Sequence, residues 1–252
     1  MRQRFLAFIL LILLSTSCMA ADGLRACGGD SSWPPMSYVS SKDNSVQGLS
    51  VEVLKAALSP QPIVRLRPWA RCLAEAENVQ GSDIVMSSFK TAEREQKFYF
   101  SRPYFSLTPS YFFAKKTFAT APISELKDLS RYKVCSLHGA STAYTGLRNT
   151  EIESGATNYV SLIRKIDRGH CDIVVDMEEV FYGFAHLGLV PFSANEYQIL
   201  PLPGTERYPL HFAVSKTHPQ AKQIIDQIDK GIIQLQKNGK LKQLHEHFQT
   251  QR

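Results

Sequence analysis

Tryptophan occurs only twice in this chain of 252 residues, as Trp33 and Trp69, and cysteine only five times. No two cysteines form a CxxC pair, which disfavours zinc sites and thioredoxin-type redox motifs. Basic residues outnumber acidic ones by 29 to 23, for a formal charge of +6. They are scattered rather than gathered into a dense run, so a nucleic-acid partner is not expected. No nucleophile stands beside a base. His138 and His170 are isolated, and His245 and His247 have i, i+2 spacing, which does not put both side chains on one helix face. Catalytic residues, metal ligands and cofactors are therefore not expected.

One long apolar run is present. Arg2 and Arg4 precede Phe5–Leu14, and small or polar residues follow as far as Cys18-Met19-Ala20-Ala21. Charge, short apolar core and small-residue cleavage site are the secretory order. The run is too short to span ~30 Å of hydrocarbon, which takes about 20 residues. Residues 1–20 are thus expected to be a cleaved signal peptide, and the remainder to work in the periplasm. A lipid anchor on Cys18 is the alternative, but Ser15 stands where such anchors carry a Leu-like residue. Beyond the leader remain Cys27, Cys72, Cys135 and Cys171. An even number of cysteines in an oxidising compartment reads as two disulfides. Of three connectivities, Cys27–Cys72 with Cys135–Cys171 keeps each pair within one half of the chain. Each such loop of about 40 residues stabilises by at most about 4 kcal/mol. Apolar residues at 44% and charged residues at 21% are ordinary for a globular domain.

The pattern after the leader alternates. Leu24–Cys27 reads as a strand, Leu49–Leu58 as a helix stopped by Pro60, and Ile63–Leu66 as a strand. Ala70–Glu77 then reads as a helix and Asp83–Ser87 as an apolar strand. Such alternation implies parallel sheets with covering helices. A weak repeat follows: Cys72-Leu-Ala-Glu-Ala leads to Gly81-Ser-Asp83-Ile84-Val85, and Leu162-Ile-Arg-Lys-Ile leads to Gly169-His-Cys-Asp172-Ile173-Val174. Both run helix, glycine, aspartate, buried strand, which suggests two similar lobes. Tyr159, Leu162, Ile163 and Ile166 have helical period, with Asn158 as N-cap. Ile224, Ile225, Ile228, Ile232 and Leu235 form a second stripe, with Pro219 expected in its first turn, and Lys240–Phe248 reads as a last helix.

Several ordered motifs carry a resemblance over the whole mature chain. They are Gly29-Asp30-Ser-Ser-Trp33-Pro34-Pro35-Met36, Gly48-Leu-Ser-Val-Glu52-Val-Leu54, Thr91-Ala-Glu-Arg94 with Phe100-Ser-Arg-Pro103-Tyr104, Gly139-Ala-Ser141-Thr142, and the Lys216–Phe248 tail. Together they resemble extracellular solute-binding family 3, the polar-amino-acid binding proteins of ABC importers. The resemblance implies an α/β, two-lobed periplasmic-binding-protein-like fold of type II, with two parallel-core sheets joined by two crossover strands. It places crossovers near Phe113–Phe118 and Leu202–Arg207. Lobe 1 is then 21–114 plus 206–252, and lobe 2 is 115–205. A small-molecule ligand would sit between the lobes, with an inner-membrane ABC permease as partner and the protein itself a monomer.

The same resemblance assigns candidate ligand contacts. Trp33 and Trp69 match stacking aromatics, whose flat rings cover a ligand at low entropy cost. Arg94 matches the arginine that grips an α-carboxylate, a task suited to guanidinium because it makes two parallel hydrogen bonds. Thr91 belongs to the same motif, and Arg71 and Asp30 are further candidates. Ser141 and Thr142 stand where a helix should begin, whose free N–H groups favour an anionic group. Two departures appear: Met177 occupies the place of the acid that meets an α-ammonium, and Phe89 replaces a polar residue two before Thr91. Asp176 or Glu178 could substitute for the acid. The ligand expected is therefore a small polar or anionic organic molecule, with an amino acid leading. A sensor or helper role without transport is one alternative. A prephenate- or arogenate-type dehydratase using Asp176, Glu178 or Glu179 is the other. Thiol titration of the denatured, unreduced mature protein is expected to find no free thiol at Cys27, Cys72, Cys135 or Cys171; free thiols at these positions would remove the disulfide framework.

Overall fold

The fold was established from a computed structural model in which residues 23–29, 32–188, 190 and 193–249 are described. The expected signal peptide and Asp30 lie outside the described residues. The first part of the chain forms strands β1 (Arg25–Gly29), β2 (Tyr38–Val39) and β3 (Val46–Gln47), then helix α1 (Leu49–Ala57), β4 (Ile63–Arg67), α2 (Trp69–Glu77) and β5 (Ile84–Phe89). Helix α3 (Ala92–Lys97), β6 (Phe98–Phe100) and β7 (Phe105–Leu107) follow. The second part contains β8 (Pro109–Ala114), β9 (Val134–Leu137), β10 (Ile152–Ala156), α4 (Tyr159–Asp167), β11 (Ile173–Met177), α5 (Glu178–His186) and β12 (Tyr197–Pro201). The chain ends with β13 (Tyr208–Ser215), α6 (Ala221–Lys237) and α7 (Lys240–Gln249).

Two main sheets result. The first has six strands in the order β4-β1-β5-β13-β6, with β7 also on β13. The second has five in the order β10-β9-β11-β8-β12. The sheets echo each other. In the first, β1 lies parallel between β4 and β5, and β13 joins antiparallel. In the second, β9 lies parallel between β10 and β11, and β8 joins antiparallel. The sequence repeat is therefore structural: it marks α2–β5 in one lobe and α4–β11 in the other. The disulfides repeat as well. Cys27 on β1 is bonded to Cys72 on α2, at an S–S distance of 2.05 Å, and Cys135 on β9 is bonded to Cys171 just before β11.

Local chemistry accounts for the helix positions. Asn158 accepts a bond from the Ser161 N–H at 2.9 Å and caps α4. The stripe of Ile224, Ile225, Ile228, Ile232 and Leu235 is buried along α6. Pro219 precedes that helix by two residues instead of joining its first turn, because Gln220 is the N-cap. Among the described residues no helix is long and apolar enough to cross a membrane.

The first passage between sheets differs from expectation. It falls at Thr108, between β7 in the first sheet and β8 in the second, and not near Phe113–Phe118. Every residue of β8 is buried, since β11 and β12 flank it on both sides. An apolar run shows that a strand is buried but not which sheet it joins. The return passage runs through residues 202–207.

Helices α1 and α6 cross at Gly231, where a Cβ would stand 2.2 Å from the Ala57 carbonyl oxygen. That neighbour is backbone and cannot swing aside, so Gly231→Ala must part the helices. A loss of about 1–3 kcal/mol is expected, read as a lower urea midpoint with an unchanged slope.

Candidate functional site

Trp33 follows β1 in a tight turn, where its carbonyl accepts the N–H groups of Met36 at 2.9 Å and Ser37 at 3.0 Å. The turn is pinned to α1, because Leu49 N–H donates to the Pro35 carbonyl at 2.8 Å. The half-buried Trp33 ring meets Phe89 edge-on, with centroids 5.9 Å apart, and Phe89 meets Tyr208 in the same way at 4.9 Å. Its Nε1–H reaches Asp176 Oδ2 of β11 at 3.4 Å. That bond joins residues 143 apart in sequence and on opposite sides of the cleft.

Trp69 opens α2, directly after Pro68. Its Nε1–H donates to the Gly139 carbonyl of the second lobe at 2.9 Å. Arg94 lies on α3, which Thr91 caps by accepting the Arg94 N–H at 3.2 Å. The Arg94 guanidinium donates to the Phe89 carbonyl at 3.2 Å and to the Gly139 carbonyl at 3.4 Å, and it stands 5.4 Å over the Trp69 ring. Burial lowers its pKa, since desolvation disfavours the charged form. Among the described residues no carboxylate forms an ion pair with it.

Asp176 is 8% exposed and sits next to last on β11. Oδ1 accepts the Met177 N–H at 2.7 Å, and burial pushes the carboxyl up to about 7 despite that bond and the one from Trp33. These groups close a cleft of about 70 Å³. Gly29, Trp33, Ser37, Trp69, Ser87, Phe89 and Arg94 line it from the first lobe, and Leu137, Ala140, Ser141 and Asp176 from the second. The volume is small beside the roughly 300–1,000 Å³ of ordinary ligand pockets, because the lobes stand together. A larger groove of about 850 Å³ lies outside, between the β2–β3 hairpin and α7. We place the site in the smaller cleft because it gathers both tryptophans, a half-buried guanidinium and a buried carboxyl.

Several expected residues lie elsewhere. Arg71 is exposed and pairs with Glu75 at 2.6 Å along the outside of α2. Thr91 positions Arg94 and is not part of the lining. No α-helix begins after Ser141 and Thr142. A short 3-10 turn, Ala143–Thr145, is ended by Gly146 at a φ of 71°, so the expected helix N-terminus is not formed. Ser141 still faces the cleft, whereas Thr142 is buried and its carbonyl accepts from Thr145. Of the two acids that could replace the one absent at Met177, Asp176 lines the cleft and Glu178 does not. Ser37, Ser87, Leu137 and Ala140 were not singled out by sequence reasoning, since small polar and aliphatic residues in and beside strands carry no distinctive pattern.

A cleft between two repeated α/β lobes, walled by aromatics around buried charge, defines a solute-capturing protein. The chain belongs to the bacterial extracellular solute-binding proteins, family 3, whose profile matches residues 26–251. No curated protein matches the sequence. Among solved structures, it is similar to the amino acid ABC transporter substrate-binding protein AbpA of Streptococcus pneumoniae Canada MDR_19A, bound to L-arginine. That match has 23% identity and a TM-score of 0.72, covering 91% of this chain and 95% of the other. The arginine-, lysine-, histidine-binding protein ArtJ of Geobacillus stearothermophilus matches at 17% identity and a TM-score of 0.71, covering 89% and 94%. The ancestral amino acid-binding protein AncCDT-1, a precursor of cyclohexadienyl dehydratase, matches at 20% and 0.69, covering 90% and 95%.

Asp176 gives the site a pH signature. Its pKa is higher folded than unfolded, where it takes the ordinary value of 3.8. Between those values the folded chain holds a proton that the unfolded chain has lost. The stabilisation is therefore fully present below the unfolded pKa and disappears as pH rises through about 7. It falls by roughly 1.4 kcal/mol per pH unit inside that window. Asp176→Asn cannot lose the proton. From pH 5 to pH 8 its stability relative to wild type should improve by about 2–3 kcal/mol, read as the difference in urea midpoints.

Proposed function

We propose that this chain is an exported binding protein that captures an α-amino acid or a related small carboxylate for an ABC importer. The observation that carries the reading is the pair of oppositely charging groups on one cleft, the half-buried Arg94 and the buried Asp176. Arg94 is spanned by backbone carbonyls and leaves N–H donors for a carboxylate. Asp176, on the far lobe, is placed to meet an ammonium. Trp33, Trp69 and Phe89 cover the body of the solute. We divide the lobes by sheet membership: residues 23–107 with 208–249 form one, and residues 109–201 form the other. The periplasmic assignment rests on the leader pattern and on the family, and the monomeric state on a site completed within one chain.

Binding without turnover fits the fates of the acids. Glu179 is engaged by bonds to Thr108 and Arg207, and Glu178 lies off the cleft, so among the described residues neither of these acids stands beside Asp176 as a partner base. Isothermal titration with the common amino acids and small carboxylates, at pH 6 and pH 8, tests this reading. An ammonium at Asp176 must first displace its proton, so an amino acid should bind more tightly at pH 8, by up to about tenfold. A carboxylate lacking the ammonium should show the opposite trend. Binding of neither class, or conversion of prephenate or arogenate, overturns the reading.

A further inference from the structure

Helix α5 begins directly after the Asp176 strand, and one of its faces meets structures beyond its own sheet. Glu179 and Gly183 are four residues apart and share that face. The Glu179 carboxylate is 5% exposed. It accepts the Thr108 N–H at 2.9 Å, the Thr108 hydroxyl at 3.0 Å and Arg207 Nη2 at 3.3 Å. Arg207 Nη2 also donates to the Ser106 carbonyl. Thr108 is the first passage between the sheets, and Arg207 is the last residue of the second. One carboxylate thus ties both passages to the same helix.

One turn further on, the α5 backbone touches the first lobe. A Cβ on Gly183 would lie 2.6 Å from both the carbon and the oxygen of the Pro34 carbonyl, and 2.9 Å from Pro35 N. Neither side has room to yield. The Pro34–Pro35 turn is buried and bonded to the start of α1, through Leu49 N–H to Pro35 O at 2.8 Å and Ser50 N–H to Met36 O at 3.0 Å. Helix α5 is seated by the buried side chains of Val180, Phe181 and Phe184. Trp33, beside Pro34, makes the bond to Asp176 across the cleft.

We propose that α5 is the stop that sets how far the lobes close: Glu179 is a positioning residue that holds both passages at one place on the helix, and the absent side chain at Gly183 lets the Pro34 turn approach until Trp33 reaches Asp176. Its purpose rests on the reading of solute capture between lobes, but the geometry can be tested with no solute present. Gly183→Ala puts a methyl group against backbone atoms of the opposite lobe. The substitution favours helix, so α5 itself is not weakened.

The test compares mature wild-type protein and Gly183→Ala, without solute, by small-angle X-ray scattering and by acrylamide quenching of tryptophan. Both tryptophans line the cleft, so quenching reports its opening. The variant is expected to show a larger radius of gyration and roughly doubled quenching, with circular dichroism unchanged. Glu179→Gln keeps the side chain's shape and weakens its hold on Arg207; it is expected to raise quenching by a smaller factor. A folded Gly183→Ala with wild-type scattering and quenching overturns the proposal. If Gly183→Ala does not fold, wild-type behaviour of Glu179→Gln overturns it. Failure of every amino acid and carboxylate to bind would overturn the proposed function and leave these readouts unaffected.

Discussion

Two covalent passages join the sheets of this protein, and every relation between the lobes depends on them. Each is short. The first is a single residue, Thr108, and the second runs through 202–207. The second starts against the strand that follows the first, because Leu202 N–H donates to the Pro109 carbonyl at 2.9 Å, and both passages are bonded to the buried carboxylate of Glu179. A carboxylate leaves water at a cost that only several donors offset. Glu179 finds its donors on the very segments that connect the lobes, so its own desolvation is met by fixing where those segments lie.

The cleft follows the same logic with one difference. Asp176 is also withdrawn from water and Arg94 partly so, but their protein hydrogen-bond partners are backbone carbonyls, one backbone N–H and an indole N–H. These contacts satisfy hydrogen-bonding capacity without neutralising charge. A site of this kind retains an electrostatic demand that a charged solute can meet, and low local dielectric strengthens the response. Asp176 relieves its own demand by holding a proton up to about pH 7. Trp33 and Trp69 each supply an apolar face to the cleft and an N–H to the opposite lobe, an amphipathic role that few other side chains can fill.

Legibility from sequence was uneven for identifiable reasons. The alternation of strand and helix, the Asn158 cap and the α6 stripe were readable because each reflects interactions within a few residues. The helix–glycine–aspartate–strand echo between Cys72 and Val174 was faint in letters yet corresponds to duplicated topology. Arg94 was matched to a carboxylate-gripping arginine and Arg71 was a further candidate for the cleft. Their fates diverged because Glu75 draws Arg71 along the outside of α2, whereas the Thr91 cap turns α3 so that Arg94 reaches two carbonyls. The expected helix after Thr142 failed because Gly146 adopts a left-handed φ and ends the turn.

By itself the sequence determined most of the element types, the family and its fold through local periodicity and ordered motifs, and it favoured one pairing of the four cysteines because each pair then falls within one half of the chain. The sheet that receives β8, the burial of Asp176 in place of Glu178, and the meeting of Gly183 with Pro34 were decided only by tertiary structure. Each depends on contacts between residues far apart in sequence, and the same short apolar or acidic letters are compatible with several such partners until the backbone brings one of them within bonding distance.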